Sequence, residues 1–379
     1  MLGLTSCVDA YMPDTVDTGV NYLVVDGFIK GNGVTRIKLS RTIPVGATTA
    51  PPAEKGAQVF IVDNTGLRYA LKEVLSGSYQ SDSLLLNPVR RYQLRISSAT
   101  GAATYQSDLV PLKVTPPIDN LKWRLDGSQV QLSLSTHDAT GQSRYYHWGL
   151  VETWEFNAAF ESHLEYDPQQ KVIIPRVTPI YTCWRTESPT AIKQGSSAQL
   201  SQDALTDVTL LTPSAQAERF KIRYSVLVSQ YAETAEEFAY YDLLRKNTEA
   251  VGTVNDPLPS QLTGNVHRVD NPNEPVLGYV GAHTVQQKRL FIGRADLALP
   301  TGWQFTTPYQ GCTADSLAET VFPYDPLSVP YPRTRVFVVP ENIPLDNRYS
   351  HGFIVGYIGS SKECADCRIR GSNVKPSYW

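Results

Sequence analysis

Tyr22-Leu-Val-Val-Asp-Gly-Phe-Ile29 and Thr35-Arg-Ile-Lys-Leu-Ser-Arg41, separated by Gly31-Asn32-Gly33, are the segments that decide the fold. The first is rich in β-branched residues, and the second alternates apolar with polar side chains. Both patterns are typical of β-strands, and a glycine-rich turn can adopt the backbone angles that a tight hairpin needs. The sequence therefore predicts that the first folded domain begins with a β-hairpin.

Segments of the same kind recur up to residue 107. They are Ala57-Gln-Val-Phe-Ile-Val-Asp63, Leu67-Arg-Tyr-Ala-Leu71, Tyr92-Gln-Leu-Arg-Ile-Ser97 and Ala103-Thr-Tyr-Gln-Ser107. Strands that recur about every ten residues with turn signals between them are typical of a β-sandwich. Pro111, Pro116 and Pro117 then interrupt the pattern, because proline has no N–H group for a central sheet ladder. We expect the first domain, a β-sandwich, to span residues 22–117.

Residues 118–379 are predicted to form a second, larger β-rich domain. Its expected strands are residues 129–135, 145–156, 219–230, 276–282 and 288–294. Thr234-Ala-Glu-Glu237 has the form of a capping box, so a helix should begin there and run to about Asn247. Residues 299–344 lack periodicity, which predicts a loop-rich part. One or two short helices in a mainly β chain are therefore expected.

The composition agrees with this picture. The chain has 379 residues, of which 41% are hydrophobic and 19% charged, with 21 tyrosines and 26 prolines. This profile favours a β-rich extracytoplasmic protein larger than one typical domain. The 34 basic and 37 acidic residues give a net charge of −3, which provides no basic excess for binding nucleic acid. The sequence has no apolar run of about 20 residues, so we expect any membrane attachment to depend on a lipid.

Cys7 follows Leu4-Thr5-Ser6 and precedes the unpatterned residues 8–21. Processing of bacterial lipoproteins requires a small residue before a cysteine that becomes acylated, and this segment meets that local requirement. A full signal would add a basic region and roughly 7 to 15 apolar residues. We expect residues 1–21 to be a residual lipoprotein signal and tether, with Cys7 as the lipidation site.

The remaining cysteines are Cys183, Cys312, Cys364 and Cys367. An even number of cysteines in an oxidising compartment favours structural disulfides. The sequence leaves open a local Cys364–Cys367 bond or two long-range bonds, and we favour a bond from Cys364 or Cys367 to Cys312. A redox-active Cys-x-x-Cys and a zinc site remain as alternatives, although the helix start and the extra ligands that they need are not apparent.

Four parts of the chain carry a family resemblance. They are Tyr22-Leu-Val-Val-Asp-Gly-Phe-Ile29 with Lys38-Leu-Ser-Arg-Thr42; Tyr145-Tyr-His-Trp148; Gly264-Asn-Val266 with Leu277-Gly-Tyr-Val280; and Cys364-Ala-Asp-Cys-Arg368 with Lys375-Pro-Ser-Tyr-Trp379. These parts resemble the Bacteroidota lipoproteins catalogued as domain of unknown function 4249, over nearly the whole mature chain. The resemblance implies an envelope lipoprotein whose N-terminal β-sandwich is immunoglobulin-like. Such proteins are often encoded beside TonB-dependent receptors, which implies help with uptake or assembly, and no catalytic residues come with the resemblance.

The sequence shows no recognisable catalytic or cofactor motif. It contains no glycine-rich phosphate loop, no Gly-x-Ser-x-Gly elbow and no His-Glu-x-x-His helix, and its six histidines stand at no ligand spacing. Glu152 with Glu155, or Glu161 with Glu165, could flank a glycosidic bond only if their geometry allowed it. We therefore expect no enzyme activity, no cofactor and no metal site. A hydrolase with an unrecognised site remains an alternative.

Aromatic side chains supply a further hypothesis, because Trp and Tyr stack on sugars and anchor protein partners. The candidates in loop-like surroundings are Trp154, Tyr181, Trp184, Trp303, Tyr324 and Tyr331. The main prediction is a non-enzymatic accessory or adaptor, lipid-anchored to the outer membrane on its periplasmic or surface face, with a TonB-dependent receptor barrel as partner. The alternative is a module that captures a small ligand, either a glycan or a peptide, through these aromatic residues.

Overall fold

The computed structural model describes residues 21–44, 47–249, 262–314 and 335–379. Strands make up 49% and helices 10% of the structure. The prediction of a mainly β chain with short helices is confirmed. No helix in these ranges is both long and apolar enough to cross a bilayer.

The N-terminal sheet contains the six strands that the sequence predicts before the proline-rich segment, together with two strands, Ser78–Leu85 and Val110–Pro111, that were not predicted. In chain order, the strands are β1 (Leu23–Lys30), β2 (Asn32–Arg41), β3 (Gln58–Asp63), β4 (Arg68–Leu75), β5 (Ser78–Leu85), β6 (Arg91–Ser97), β7 (Thr104–Ser107) and β8 (Val110–Pro111). Their hydrogen-bonded order is β7-β6-β3-β4-β5-β2-β1, with β8 beside β6. Alternate residues of each strand, such as Val25 and Ile37, point into one shared apolar core.

The remaining elements follow from residue 118 onward. They are β9 (Ile118–Asp126), β10 (Gln129–His137), β11 (Tyr145–Asn157), β12 (Leu164–Asp167), β13 (Val172–Pro175), β14 (Thr182–Glu187), β15 (Lys193–Ser196), β16 (Ala204–Leu211), β17 (Arg223–Glu233), α1 (Ala235–Glu249), β18 (Val266–Arg268), β19 (Ala282–His283), β20 (Val285–Gly293), β21 (Asn342–Ser350), β22 (Phe353–Ser361) and α2 (Lys362–Ala365). Strands β16, β10 and β9 form one sheet, and β14, β11, β17 and β20 form another, with β15 beside β11. Residues of both sheets, such as Leu132 and Trp148, build the second core.

Helix α1 begins where the capping box predicts it. The backbone N–H of Glu237 donates to Thr234 Oγ1 at 3.2 Å, which satisfies one of the N–H groups that the first turn of a helix leaves unpaired. The predicted helix is confirmed, and it ends close to the predicted position.

Residues 264–283 return from the C-terminal half to the N-terminal sheet. Strand β18 pairs with β7, and β19 pairs in parallel with β1, so these two strands form the edges of the sheet. Gly278 permits the close approach to β1, because a Cβ at this position would lie 2.0 Å from the Val25 carbonyl oxygen. Within the segment, a Cβ on Gly264 would lie 1.8 Å from the Gly278 carbonyl oxygen. The division of the chain at residue 117 stays a prediction. Residues 264–283 do not follow this division, because Val266 and Val280 belong to the core of the N-terminal sheet.

Two disulfide bonds tie the C-terminal part to the body. One joins Cys183 on β14 to Cys367, and the other joins Cys312 to Cys364. The expected structural disulfides and the favoured bond to Cys312 are therefore confirmed. The two cysteines of Cys-x-x-Cys bond to different parts of the chain and not to each other.

The last nine residues lie against β14 and its sheet. Trp184 and Ser372 exchange backbone hydrogen bonds of 2.8 and 2.9 Å. Beyond them, the Tyr378 hydroxyl lies 2.9 Å from Thr153 Oγ1, and the Trp379 indole nitrogen donates to Glu155 at 3.0 Å. The C-terminal segment therefore covers part of the outer face of this sheet.

Candidate functional site

The predicted aromatic residues do not form an open patch in the described part of the chain. Trp154 is buried within β11, so the expectation of loop-like surroundings is wrong for this residue. The alternation that turns Tyr146 and Trp148 inward continues along the strand to Trp154. Tyr181 and Trp303 pack partly buried against the second core. Trp184 lies partly buried on β14, so loop-like surroundings are wrong for this residue too. Cys7, Tyr324 and Tyr331 lie outside the described residues.

An open polar cavity of about 310 Å³ is lined in part by Glu152, Lys193 and Arg219. The Arg219 guanidinium carbon lies 4.9 Å from the centre of the Trp154 ring. The cavity forms where β14 and β15 leave residues 149–151 of β11 without a described partner strand on that side. The buried Glu152 carboxylate accepts hydrogen bonds from Arg219 and, at 2.6 Å, from the Tyr224 hydroxyl. Burial, together with the Glu152 charge, raises the pKa of Tyr224. The negative charge of Glu152 and the positive charge of Arg219 balance each other. We therefore interpret this group of side chains as a structural polar network.

Glu155, the other carboxylate of the predicted pair, points to the opposite face of β11. There it accepts the hydrogen bond from Trp379. Residues three apart on a strand face opposite sides, so Glu152 and Glu155 do not flank a common substrate position.

Exposed aliphatic side chains gather at one end of the N-terminal sheet. Leu85 and Val89, at the end of β5 and in the loop after it, are 89% and 88% exposed. Leu67, after β3, is 49% exposed, and Leu109, between β7 and β8, is 39% exposed. Strands β3, β5 and β7 all run toward this end, so their following loops are neighbours. We call these four residues the loop-end patch.

Hydrogen bonds hold the loops of this patch together. The Asn64 backbone N–H donates to the Arg91 carbonyl at 3.0 Å, and the Arg91 guanidinium donates to the Leu109 carbonyl at 2.7 Å. The Leu86 N–H donates to the carbonyl of Gly31 at 2.8 Å. The aliphatic side chains are therefore presented from loops whose backbones are fixed to one another.

Asp63 stabilises the first of these loops. Its buried carboxylate accepts hydrogen bonds from Thr65, Leu67 and Arg90. Desolvation would raise the pKa of this carboxyl, but the hydrogen bonds outweigh it and lower the pKa to about 2. Asp63 thus remains ionised and keeps its loop in place over the ordinary pH range.

A second cavity, of about 170 Å³, lies between the outer face of the β1–β2 hairpin and the sheet that contains β17 and β20. We call it the junction pocket. Its lining residues are Phe28, Lys30, Val34, Arg36, Ser229, Tyr231, Val285 and Gln287. Asn32 clamps its edge, because the side-chain amide donates to the Val285 carbonyl at 3.0 Å and accepts from the Val285 N–H at 2.8 Å.

A fully buried histidine lies behind the aromatic side chains of the junction pocket. The His283 ring centroid is 4.3 Å from that of Phe28 and 5.4 Å from that of Tyr231. Neither ring nitrogen has a hydrogen-bond partner among the described residues. Burial and the nearby His147 lower the pKa of His283 to about 3, so it is neutral at ordinary pH.

Two buried glutamates complete this region. Glu233 lies 2.9 Å from His147 Nδ1 and accepts from the Gln194 amide at 2.9 Å. Glu237 packs against Gly281, where a Cβ would lie 2.1 Å from its carboxyl oxygen. Burial and the Glu233 charge raise the Glu237 pKa well above its usual value, against a smaller opposing hydrogen bond from Thr234. In the described ranges, no three histidine, cysteine or acidic side chains are placed to hold a metal ion.

Sequence reasoning overlooked both the loop-end patch and the junction pocket. The patch had one signal, because Leu84-Leu85-Leu86 before Asn87-Pro88 places an apolar residue where a turn begins. The pocket had none, since the residues of its two walls are more than 190 positions apart along the chain and form no motif.

Comparisons with known proteins give one informative match. No curated protein matches the chain. Similar solved structures include a putative carbohydrate binding protein from Bacteroides uniformis, with 8% identity over 57% of this chain and 92% of that chain and a TM-score of 0.16. Another structure, described as manganese lipoxygenase of Gaeumannomyces graminis with part of zonadhesin of Komagataella pastoris, has 11% identity over 56% and 80% and a TM-score of 0.17. TM-scores this low carry no argument about this chain.

The comparison with protein families gives a match over most of the chain. The model of one family, described as a domain of unknown function, matches residues 8–289. The match includes β1, α1 and the returning segment with Gly264 and Gly278. Since it covers well over half of the sequence, the protein belongs to the family of the domain of unknown function DUF4249.

Proposed function

We propose that this protein is a lipid-anchored accessory of the outer membrane that binds a protein partner without catalysing a reaction. The partner is a TonB-dependent receptor barrel, and the lipid is attached at Cys7. The loop-end patch is the contact surface.

The two disulfide bonds support a location in the cell envelope. All four cysteines of the described part are bonded, and each bond joins segments far apart in the chain. Disulfides of this kind persist in oxidising compartments and are rare in the cytosol. A cysteine-anchored lipoprotein would expose its folded part to such a compartment.

The loop-end patch is the single observation that carries the binding role. Leu85 and Val89 each expose nearly nine-tenths of their surface to water, in loops fixed by hydrogen bonds. Exposed apolar groups on a rigid loop end are characteristic of protein-binding surfaces, because burying them against a partner is favourable and costs little ordering.

The position of the patch suits a protein tethered at its N-terminus. Strand β1 starts beside residue 22 and runs for 8 residues toward the patch. At about 3.3 Å per residue, this places the patch about 25 Å from the point where the tether joins the sheet. A tether from Cys7 would therefore join the sheet at the end opposite the patch.

Site-specific cross-linking in cells that express the full lipidated chain tests this proposal. A photoreactive residue at Val89 should cross-link to an outer-membrane receptor barrel, identified by mass spectrometry. The same group at Leu75, 74% exposed at the other end of the sheet, is the matched control. The pair Leu85→Ser and Val89→Ser should lower recovery of the barrel about tenfold, which corresponds to about 1.4 kcal/mol, whereas Leu75→Ser should not.

Two outcomes would contradict the proposal. Equal cross-linking from Val89 and Leu75, or recovery of abundant unrelated envelope proteins alone, would remove the adaptor role. An unmodified Cys7 thiol in the native protein, measured by mass spectrometry, would remove the lipid anchor.

A further inference from the structure

We infer that the junction pocket is a binding site for a small carboxylate that carries a flat apolar group. This site goes beyond the proposed adaptor role, and its lining residues include none of the loop-end patch.

The charge of the pocket is the first reason. Its lining contains Lys30 and Arg36 and no carboxylate. Neither side chain forms an ion pair with another described residue. Two positive charges beside a partly enclosed cavity attract an anion, and a guanidinium can bind a carboxylate through two parallel hydrogen bonds.

The strand geometry places Lys30 and Arg36 on the same side of the junction pocket. Phe28 and Arg36 are directly opposite each other in the β1–β2 pairing, and Lys30 is two residues beyond Phe28 on the same face of β1. Val34 is two residues before Arg36 on the same face of β2. The outer face of the hairpin thus presents two cations beside one aromatic ring and one aliphatic side chain.

The opposite wall supplies an aromatic surface and polar groups. The Tyr231 ring lies 5.2 Å from the Phe28 ring, measured between centroids, and the two rings are tilted by 58°. The Gln287 amide donates to Ser229 Oγ at 2.8 Å. Burial raises the pKa of Tyr231, which keeps its hydroxyl protonated. A flat apolar group would contact the two rings while its carboxylate meets the cations.

Packing of neighbouring residues fixes the aromatic rings that line the pocket. A Cβ on Gly149 would lie 2.3 Å from the Tyr231 hydroxyl oxygen, so glycine at this position leaves room for the phenol. His283 packs against both aromatic rings, and His147 meets the Tyr231 ring edge-on at 5.5 Å. A wall fixed in this way is formed before the ligand arrives, which lowers the cost of binding.

Benzoate is the probe that tests this inference, with benzamide as its neutral counterpart. Binding to the full chain can be measured by calorimetry and by ligand-observed NMR. Benzoate should bind the wild type, and benzamide should bind about tenfold more weakly or not at all, because it lacks the charge. The double variant Lys30→Gln and Arg36→Gln should lose about tenfold in benzoate affinity.

Lys38→Gln is the matched control. Lys38 lies two residues beyond Arg36 on the same exposed face of β2 but outside the pocket lining, so its loss should leave benzoate affinity unchanged. Equal affinity of the double variant and the wild type, equal binding of benzamide, or no benzoate binding by the folded wild type would each overturn the inference. None of these results depends on a receptor partner, so the test is independent of the adaptor role.

Discussion

His283 shows how one buried side chain can set the response of the whole fold to acid. In the folded protein its pKa is lowered to about 3 from 6.5, because burial disfavours the imidazolium and His147 adds a like charge. Between these two values the unfolded chain binds a proton that the folded chain does not. Lowering the pH through this window therefore destabilises the folded state.

The variant His283→Phe should remove this part of the acid sensitivity. At about pH 8 the histidine is neutral in both states, so the difference between variant and wild type there measures packing alone. On going to about pH 5, the wild type should lose on the order of 2 kcal/mol of unfolding free energy that the variant keeps. Urea titrations at both pH values measure this difference. Parallel pH dependences would show that His283 is not held neutral.

Glycines at the junction of the two cores illustrate a different residue-level effect. Gly264 and Gly278 lie too close to a neighbouring backbone to accommodate a Cβ, and Gly281 lies too close to a buried carboxyl group. Gly264 and Gly278 belong to the segments through which the sequence resembles its family. The resemblance at these positions therefore reflects backbone packing, and it gives no indication of chemistry.

At the scale of elements, the C-terminal segment is held to β14 by several kinds of contact. The Cys183–Cys367 bond closes a loop of 184 residues, and the backbone bonds between Trp184 and Ser372 follow directly after it. Long loops lose the most conformational entropy on closure, so this bond should restrict the unfolded chain strongly. The Tyr378 ring of this segment also stacks with Arg289, whose guanidinium carbon lies 3.6 Å from the ring centroid.

The double variant Cys183→Ala and Cys367→Ala should therefore lose about 2 to 5 kcal/mol of unfolding free energy. It should also lose hydrogen-exchange protection at the Trp184 and Ser372 amides, because the segment is released from β14. The matched control is Cys312→Ala with Cys364→Ala, which removes the bond that closes 52 residues and leaves the β14 contact in place. Unchanged protection at Trp184 in the first variant would contradict this prediction.

At the scale of the whole molecule, the N-terminal sheet depends on residues from the other half of the chain. Strands β18 and β19 flank it, and Val276 and Ala282 fill part of its core. In their absence, β1 would have an unpaired edge along the side where β19 now lies. An open edge strand and a core with missing side chains both favour unfolding or aggregation.

A fragment of residues 21–117 should therefore not fold as an independent sandwich. Circular dichroism and proton NMR of the fragment should show no cooperative melting and poor signal dispersion. The chain of residues 21–379 is the control and should show a cooperative transition. A well-dispersed spectrum with cooperative melting of the fragment would mean that the returning segment is dispensable.

Short-range patterns explain which elements were predicted correctly. The hairpin of β1 and β2 follows from alternation around Gly31 and Gly33, and α1 follows from the threonine cap at its start. The bond to Cys312 was favoured among few possible pairings. Trp154 was grouped with aromatic residues in loop-like surroundings although it falls within the predicted strand of residues 145–156, and the alternation of that strand buries it.

The sequence by itself determined the β-rich class, several local elements and the family, because periodicity, caps and glycine turns act between near neighbours in the chain. Only the tertiary structure decided which distant residues share a space. Lys30 of β1 and Tyr231 of β17 line one pocket, although they belong to different sheets and no local pattern joins them. The physical reason is that strand pairing joins residues across long loops, where the choice of partner depends on burial over the whole molecule and not on spacing along the sequence.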